Sequence, residues 1–137
     1  MESLEEALRE LVIANRILAR EGVVDAFGHV SVRHPHNPDR YLMSRSRAPE
    51  LITLDDLIEF TLDGEGIDLR DRTPYGERHI HGAVFEARPD INSVIHTHAY
   101  ELIPFGNTGT PLVPMMHTCG PIGTDINCWD IRDKFGE

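Results

Sequence analysis

A chain of 137 residues, 40% of them hydrophobic and with no internal repeat, carries enough apolar material for one domain spanning residues 1–137 with its own core. A formal net charge of −10 sets it against nucleic acid or an anionic membrane surface as the main partner. No apolar run is long enough to span a bilayer, and Glu2, Glu5 and Glu6 stand where a signal peptide would carry Lys or Arg, so the expected setting is cytoplasmic.

Ser3 and Glu6 form a capping box, and Leu4, Ala7, Leu8, Leu11, Ala14 and Leu18 recur at helical spacing up to Gly22, a C′ residue. This amphipathic helix is read as core packing. Phe27 to Arg33 passes from a loop into a strand, with Gly28 allowing close backbone approach, Val30 and Val32 on the core face and His29 and Ser31 on the other. A Pro/Asn turn follows, and Tyr41 to Ser44 reads as the partner strand of a hairpin-like unit.

Arg45-Ser46-Arg47 is a compact basic loop in an acidic chain. Its guanidinium and hydroxyl groups suit a carboxylate or phosphate, and a solvated loop paired with neighbouring acids is the plain alternative. Thr53 to Asp56 resembles a helix start around which Leu51, Leu54 and Leu57 pack. Ile58 to Leu62 alternates as a strand and ends at the Asp63-Gly64 turn.

Most of the candidate chemistry lies between Pro74 and His98. Tyr75 to Ala87 has a helical pattern, with Ile80, Ala83, Val84 and Ala87 on one stripe and Glu77 and His81 on another, until Arg88-Pro89-Asp90 stops it. Asn92 to His98 alternates as a strand that places Val94, His96 and His98 on one face. Imidazoles at i and i+2 on a strand lie roughly 6 to 7 Å apart at their Cα atoms, within reach of one cation. Glu77 is the candidate for an oxygen ligand or a base beside them.

Further along, Glu101 to Phe105 begins a helix that Pro104 caps or interrupts, and Leu112 to Met116 is a short apolar strand candidate. His117 is either a site residue or, more simply, a buried hydrogen-bonded histidine. Cys119 and Cys128 are too few for a disulfide framework and read as free thiols, Cys119 being a candidate neighbour of the site. The segment Trp129 to Glu137 carries no closing cap, and a domain incomplete at its C-terminus is expected.

Gly28-His29-Val30-Ser31-Val32-Arg33, the Glu77 helix, Arg88 to His98 and the apolar segment after it together resemble class II aldolase/adducin proteins. The resemblance covers essentially the whole chain. It implies a three-layer α/β/α sandwich around a mainly antiparallel sheet, a divalent metal near a subunit interface, and a homotetramer. His96 and His98 then become metal ligands, and Glu77 the acid/base that can also touch the metal. The family's third metal histidine belongs to a later His-Gly segment with no counterpart in this sequence, and His117 is a candidate for its place.

Sugar-phosphate members of the family hold phosphate with a Gly-Asn turn, a hydroxyl-rich loop and a Ser-Ser pair. Here the matching positions read Gly28-His29, Ser44 to Arg47 and Tyr75-Gly76, which favours a planar carboxylate and draws the aromatic-acid decarboxylases forward. The expected activity is a metal-dependent carbon–carbon lyase, aldolase or decarboxylase, acting on a small hydroxylated or keto carboxylate through an enolate. Glu77 moves the proton, while His29, Ser46 and Arg47 bind substrate. Zn or Mn is the expected ion, with Fe or Co also suited to this donor set. An adducin-like interaction module is the rival from another class, and an oxygenase acting on aromatic keto acids is a third.

Overall fold

Ser3 opens the first helix, α1 (Leu4–Arg20), by the expected reciprocal capping: its Oγ accepts the Glu6 N–H at 3.2 Å and its own N–H donates to Glu6 Oε2 at 2.8 Å. Gly22 closes the helix with φ +69°. The computed structural model describes residues 3–130 and 132–135, in two units, 1–99 and 100–137. Gly136 and Glu137, part of the segment read as an abrupt stop, lie outside the described residues.

Four strands build the sheet of the first unit: β1 (His29–Arg33), β2 (Arg40–Ser44), β3 (Leu57–Thr61) and β4 (Ser93–His96). They lie in the order β3-β2-β1-β4, every pair antiparallel. The twofold alternation of side chains then divides two hydrophobic clusters between the two faces. Val30, Leu42 and Leu57 pack with Ala7, Leu11 and Val12 of α1. Tyr41, Met43, Ile58 and Phe60 pack with Tyr75 and with Phe85 of α2 (Arg78–Ala87). The result is the expected α/β/α layering, and each fully buried large side chain contributes on the order of 1.5–3 kcal/mol.

The buried face of α2 differs from the expected stripe. His81, Gly82 and Phe85 are buried, whereas Ile80, Ala83 and Ala87 are exposed. Gly82 explains the rotation: a Cβ there would lie 1.9 Å from the Leu62 carbonyl oxygen, so the helix sits too close to the end of β3 for any side chain. Arg33 fixes the other end of α2, donating to the carbonyls of Phe85 at 2.9 Å, Arg88 at 3.1 Å and Ile91 at 3.1 Å. That clamp sets where β4 begins.

Three local expectations are corrected. Leu51 and Leu54 are exposed, and Ile52 takes the core position between them because the 3-10 turns Pro49–Leu51 and Leu54–Asp56 point them outward. Leu112 to Met116 is irregular and pairs with no strand among the described residues. His117 is exposed in the 3-10 turn His117–Ile122. The helix around Pro104 does form, as α3 (Ile103–Thr108) with Pro104 in its first turn. Cys119 and Cys128 are both free. No helix among the described residues is long and apolar enough to cross a membrane.

Candidate metal centre

The register of β1 against β4 sets His29 directly opposite His96, on the sheet face covered by α2. Their rings stack at 4.9 Å between centroids, 19° from parallel. Glu77, the residue before α2, projects to the same place: its Oε2 is 3.2 Å from His29 Nε2 and its Oε1 3.3 Å from His96 Nε2. One donor atom each from His29, Glu77 and His96 lies within 4.8 Å of the others.

His98 joins the cluster from just beyond β4. Its Nε2 is 3.0 Å from His96 Nε2, and its Nδ1 is 3.3 Å from Asp25 Oδ1. The contacts that converge on His96 are therefore 3.0 and 3.3 Å. Donors held at about 2.0–2.1 Å from one ion stand roughly 3 to 3.4 Å apart. Glu77 Oε1 and His98 Nε2 each keep that spacing from His96 Nε2, while the set whose donor atoms all lie within 4.8 Å of one another is His29, Glu77 and His96. A carboxylate with two imidazoles suits Zn and the neighbouring transition metals alike.

Supporting residues surround the cluster. Asp25 accepts the N–H groups of Phe27 at 3.0 Å and Gly28 at 2.8 Å, which folds the loop into β1. Burial pushes the Asp25 carboxyl up, but these two bonds and His98 outweigh it and hold the group below its ordinary value. Gly28 is needed where it stands, since a Cβ would lie 2.6 Å from Val24 Cβ and 3.1 Å from the His96 carbonyl oxygen. Behind His29, His81 Nε2 lies 2.9 Å from His29 Nδ1, and Ser31 Oγ lies 2.6 Å from His81 Nδ1. Burial depresses His29, and it depresses His81 to about 3, reinforced by the neighbouring imidazoles, so both rings are neutral near neutral pH.

The structure thus brings Glu77, His96, His98 and His29 together. His29, expected to face substrate, has no exposed side-chain surface, whereas the Glu77 side chain is 44% exposed. Arg47 and Ser46 reach the cluster only indirectly. The Arg47 N–H donates to Tyr75 Oη at 3.2 Å, and the Tyr75 ring lies 4.4 Å from that of His29. Arg47 Nη1 and Arg45 Nε both bind the buried Asp56, at 2.9 and 2.6 Å, while the Ser46 N–H donates to the Thr73 carbonyl. Asp25, Ser31 and His81 were not singled out as site residues from the sequence. Asp25 had one local signal, its place three residues before Gly28, and His81 had its four-residue spacing from Glu77.

Residues 9–134 match the family described as class II aldolase and adducin N-terminal domain. The chain belongs to this family. Among class II aldolase/adducin relatives, the decarboxylase tropJ of Talaromyces stipitatus is 36% identical over 132 residues, 95% of this chain and 50% of that protein. Methylthioribulose-1-phosphate dehydratase of Gluconacetobacter diazotrophicus is 36% identical over 95 residues, 68% of this chain and 45% of its own length. The solved L-fuculose 1-phosphate aldolase of Glaciozyma antarctica superposes with a TM-score of 0.72 at 29% identity, covering 82% of this chain and 49% of that one. The chain spans about half the length of the curated relatives it matches.

Proposed function

We propose that the chain carries the divalent-metal site of a carbon–carbon lyase, decarboxylase or aldolase, acting on a small hydroxylated or keto carboxylate. The observation that carries this reading is the placement of Glu77 Oε1 at 3.3 Å and His98 Nε2 at 3.0 Å from His96 Nε2, with His29 beside them. Kinship with a decarboxylase and likeness to an aldolase support it. Glu77, His96 and His98 would hold the ion. What a bound divalent ion supplies is Lewis acidity toward a carbonyl or hydroxyl oxygen, the electron sink that an enolate requires.

The protein's own part is proton handling and orientation. Glu77 is the half-exposed member of the cluster and the group a substrate meets first. In retro-aldol cleavage it takes the hydroxyl proton as the carbon–carbon bond breaks and returns a proton to the enolate carbon. In decarboxylation CO2 departs, the bonding pair stays on carbon, and Glu77 passes in a solvent proton to replace it. Arg47, with Ser46 beside it, would receive the substrate carboxylate: among the described residues Asp56 engages only Nη1 of Arg47, leaving Nε and Nη2 for an incoming anion. Homotetramer formation and a cytoplasmic setting go with this reading.

The test is metal content. The purified chain is equilibrated with zinc or manganese and analysed for metal beside His96→Ala and His98→Ala. It is then screened for CO2 release and carbonyl products from hydroxylated aromatic and keto carboxylic acids. Near-stoichiometric metal, lost in both variants, supports the site. Metal that both variants retain, or none in the parent chain, removes it and leaves the interaction-module reading.

A further inference from the structure

Behind Glu77 runs a line of three buried polar side chains. Ser31 Oγ meets His81 Nδ1 at 2.6 Å, His81 Nε2 meets His29 Nδ1 at 2.9 Å, and His29 Nε2 meets Glu77 Oε2 at 3.2 Å. Ser31, His81 and His29 are all 0% exposed, so each must satisfy its hydrogen bonds inside the protein. Among the described residues, the side chains of Ser31, His81 and His29 have no other hydrogen-bond partners.

Counting protons gives this line a direction. A neutral imidazole has one N–H and one bare nitrogen. Read from the interior outward, the Ser31 hydroxyl donates to His81 Nδ1, His81 Nε2–H donates to His29 Nδ1, and His29 Nε2–H donates to the Glu77 carboxylate. Every buried donor then has an acceptor, and the line ends on the one group that accepts without donating. Reversed, it leaves the Ser31 hydroxyl hydrogen with no acceptor among the described residues.

We infer that Ser31 and His81 form a buried relay that locks His29 in the Nε2–H tautomer, making His29 a fixed donor to Glu77 Oε2 and His81 a positioning residue. The inference rests on the proposed metal reading, in which Oε1 is the oxygen that faces His96. Holding Oε2 from the buried side leaves Oε1 as the oxygen turned toward His96. It also removes His29 from the ligand set, although it lies in the cluster: metal ligation needs the bare Nε2 that the relay denies it.

The experiment uses the full chain with 15N-labelled histidine. Long-range proton–nitrogen correlation spectra near neutral pH separate the two neutral tautomers, the charged ring and a metal-bound nitrogen. The expected result is Nε2–H at both His29 and His81, unchanged when zinc is added. His81→Phe removes the donor and should release His29 into mixed tautomers and weaken zinc affinity about tenfold in a chelator competition. His81→Gln, whose amide N–H replaces Nε2–H, should restore both. If His81→Phe does not fold, the parent spectrum and His81→Gln decide alone.

A bare Nε2 at His29, or its conversion to a zinc-bound nitrogen, overturns the relay while leaving the metal reading in place. Zinc binding indifferent to His96→Ala removes the metal reading but not the relay, provided the tautomers are as expected.

Discussion

Asp25 faces Nδ1 of His98 at 3.3 Å while accepting the N–H of Gly28 with the same carboxylate oxygen. One carboxylate therefore shapes the loop entering β1 and turns the His98 ring so that Nε2 faces His96. Outer carboxylates of this kind typically change metal affinity 10–100-fold. Asp25→Asn should weaken zinc binding by about tenfold or more in a chelator competition, with a smaller loss of stability. An unchanged affinity would show that His98 is oriented by something else.

Asp56 is buried and clamped by Arg45 and Arg47, whose side chains are about a third exposed. Burial pushes its carboxyl up, but hydrogen bonds from Arg45, Thr53 and Arg47 more than reverse this and hold it far below the ordinary range. Asp56→Ala leaves two converging cations without their anion. A fully buried pair broken this way costs about 3–5 kcal/mol, and solvent screening of the arginines reduces the expected loss to roughly 2 to 3 kcal/mol in urea unfolding.

Gly82→Ala should destabilise the fold by roughly 1–3 kcal/mol or more, because the added Cβ meets the Leu62 backbone oxygen, which cannot rotate away. Equal midpoints for parent and variant in a urea melt would show that α2 has room to shift.

The metal-free protein should lose stability on mild acidification. His81 and His29 have folded-state values below the ordinary 6.5, so the unfolded chain binds protons that the fold refuses. Stability is intact above about 6.5 and falls as pH drops toward 3, with a slope of roughly 1.4 kcal/mol per pH unit for each titrating ring. Asp56 acts in a separate window, losing its contribution only below its ordinary 3.8. Urea unfolding at pH 7.5, 6 and 5 checks the first window, and His81→Gln should flatten the curve. A flat profile in the parent chain would mean that the imidazoles are solvated.

The sequence reading succeeds where a local rule is also the global one. The Ser3–Glu6 cap, the α1 stripe and the alternation around His96 each follow from neighbours within one element. It fails where a distant partner decides. The face of α2 is set by a Leu62 carbonyl, and a pattern search treats the buried His81 as polar. For Arg45 and Arg47 the sequence leaves both an incoming anion and a neighbouring acid open, and only the fold shows that the acid is Asp56. For Leu112 to Met116 the composition of a strand is present, but no strand among the described residues pairs with it.

His98 and Asp25 are 73 residues apart in the chain, and a bound ion would tie the strand ending in His96 to the segment ahead of α2. Such an ion is a removable cross-link across the sheet, cancelling loop entropy that the free chain would otherwise regain on opening. Occupancy should therefore be visible in the rate at which the sheet opens, so that hydrogen exchange at β1 and β4 reports binding without a substrate in hand.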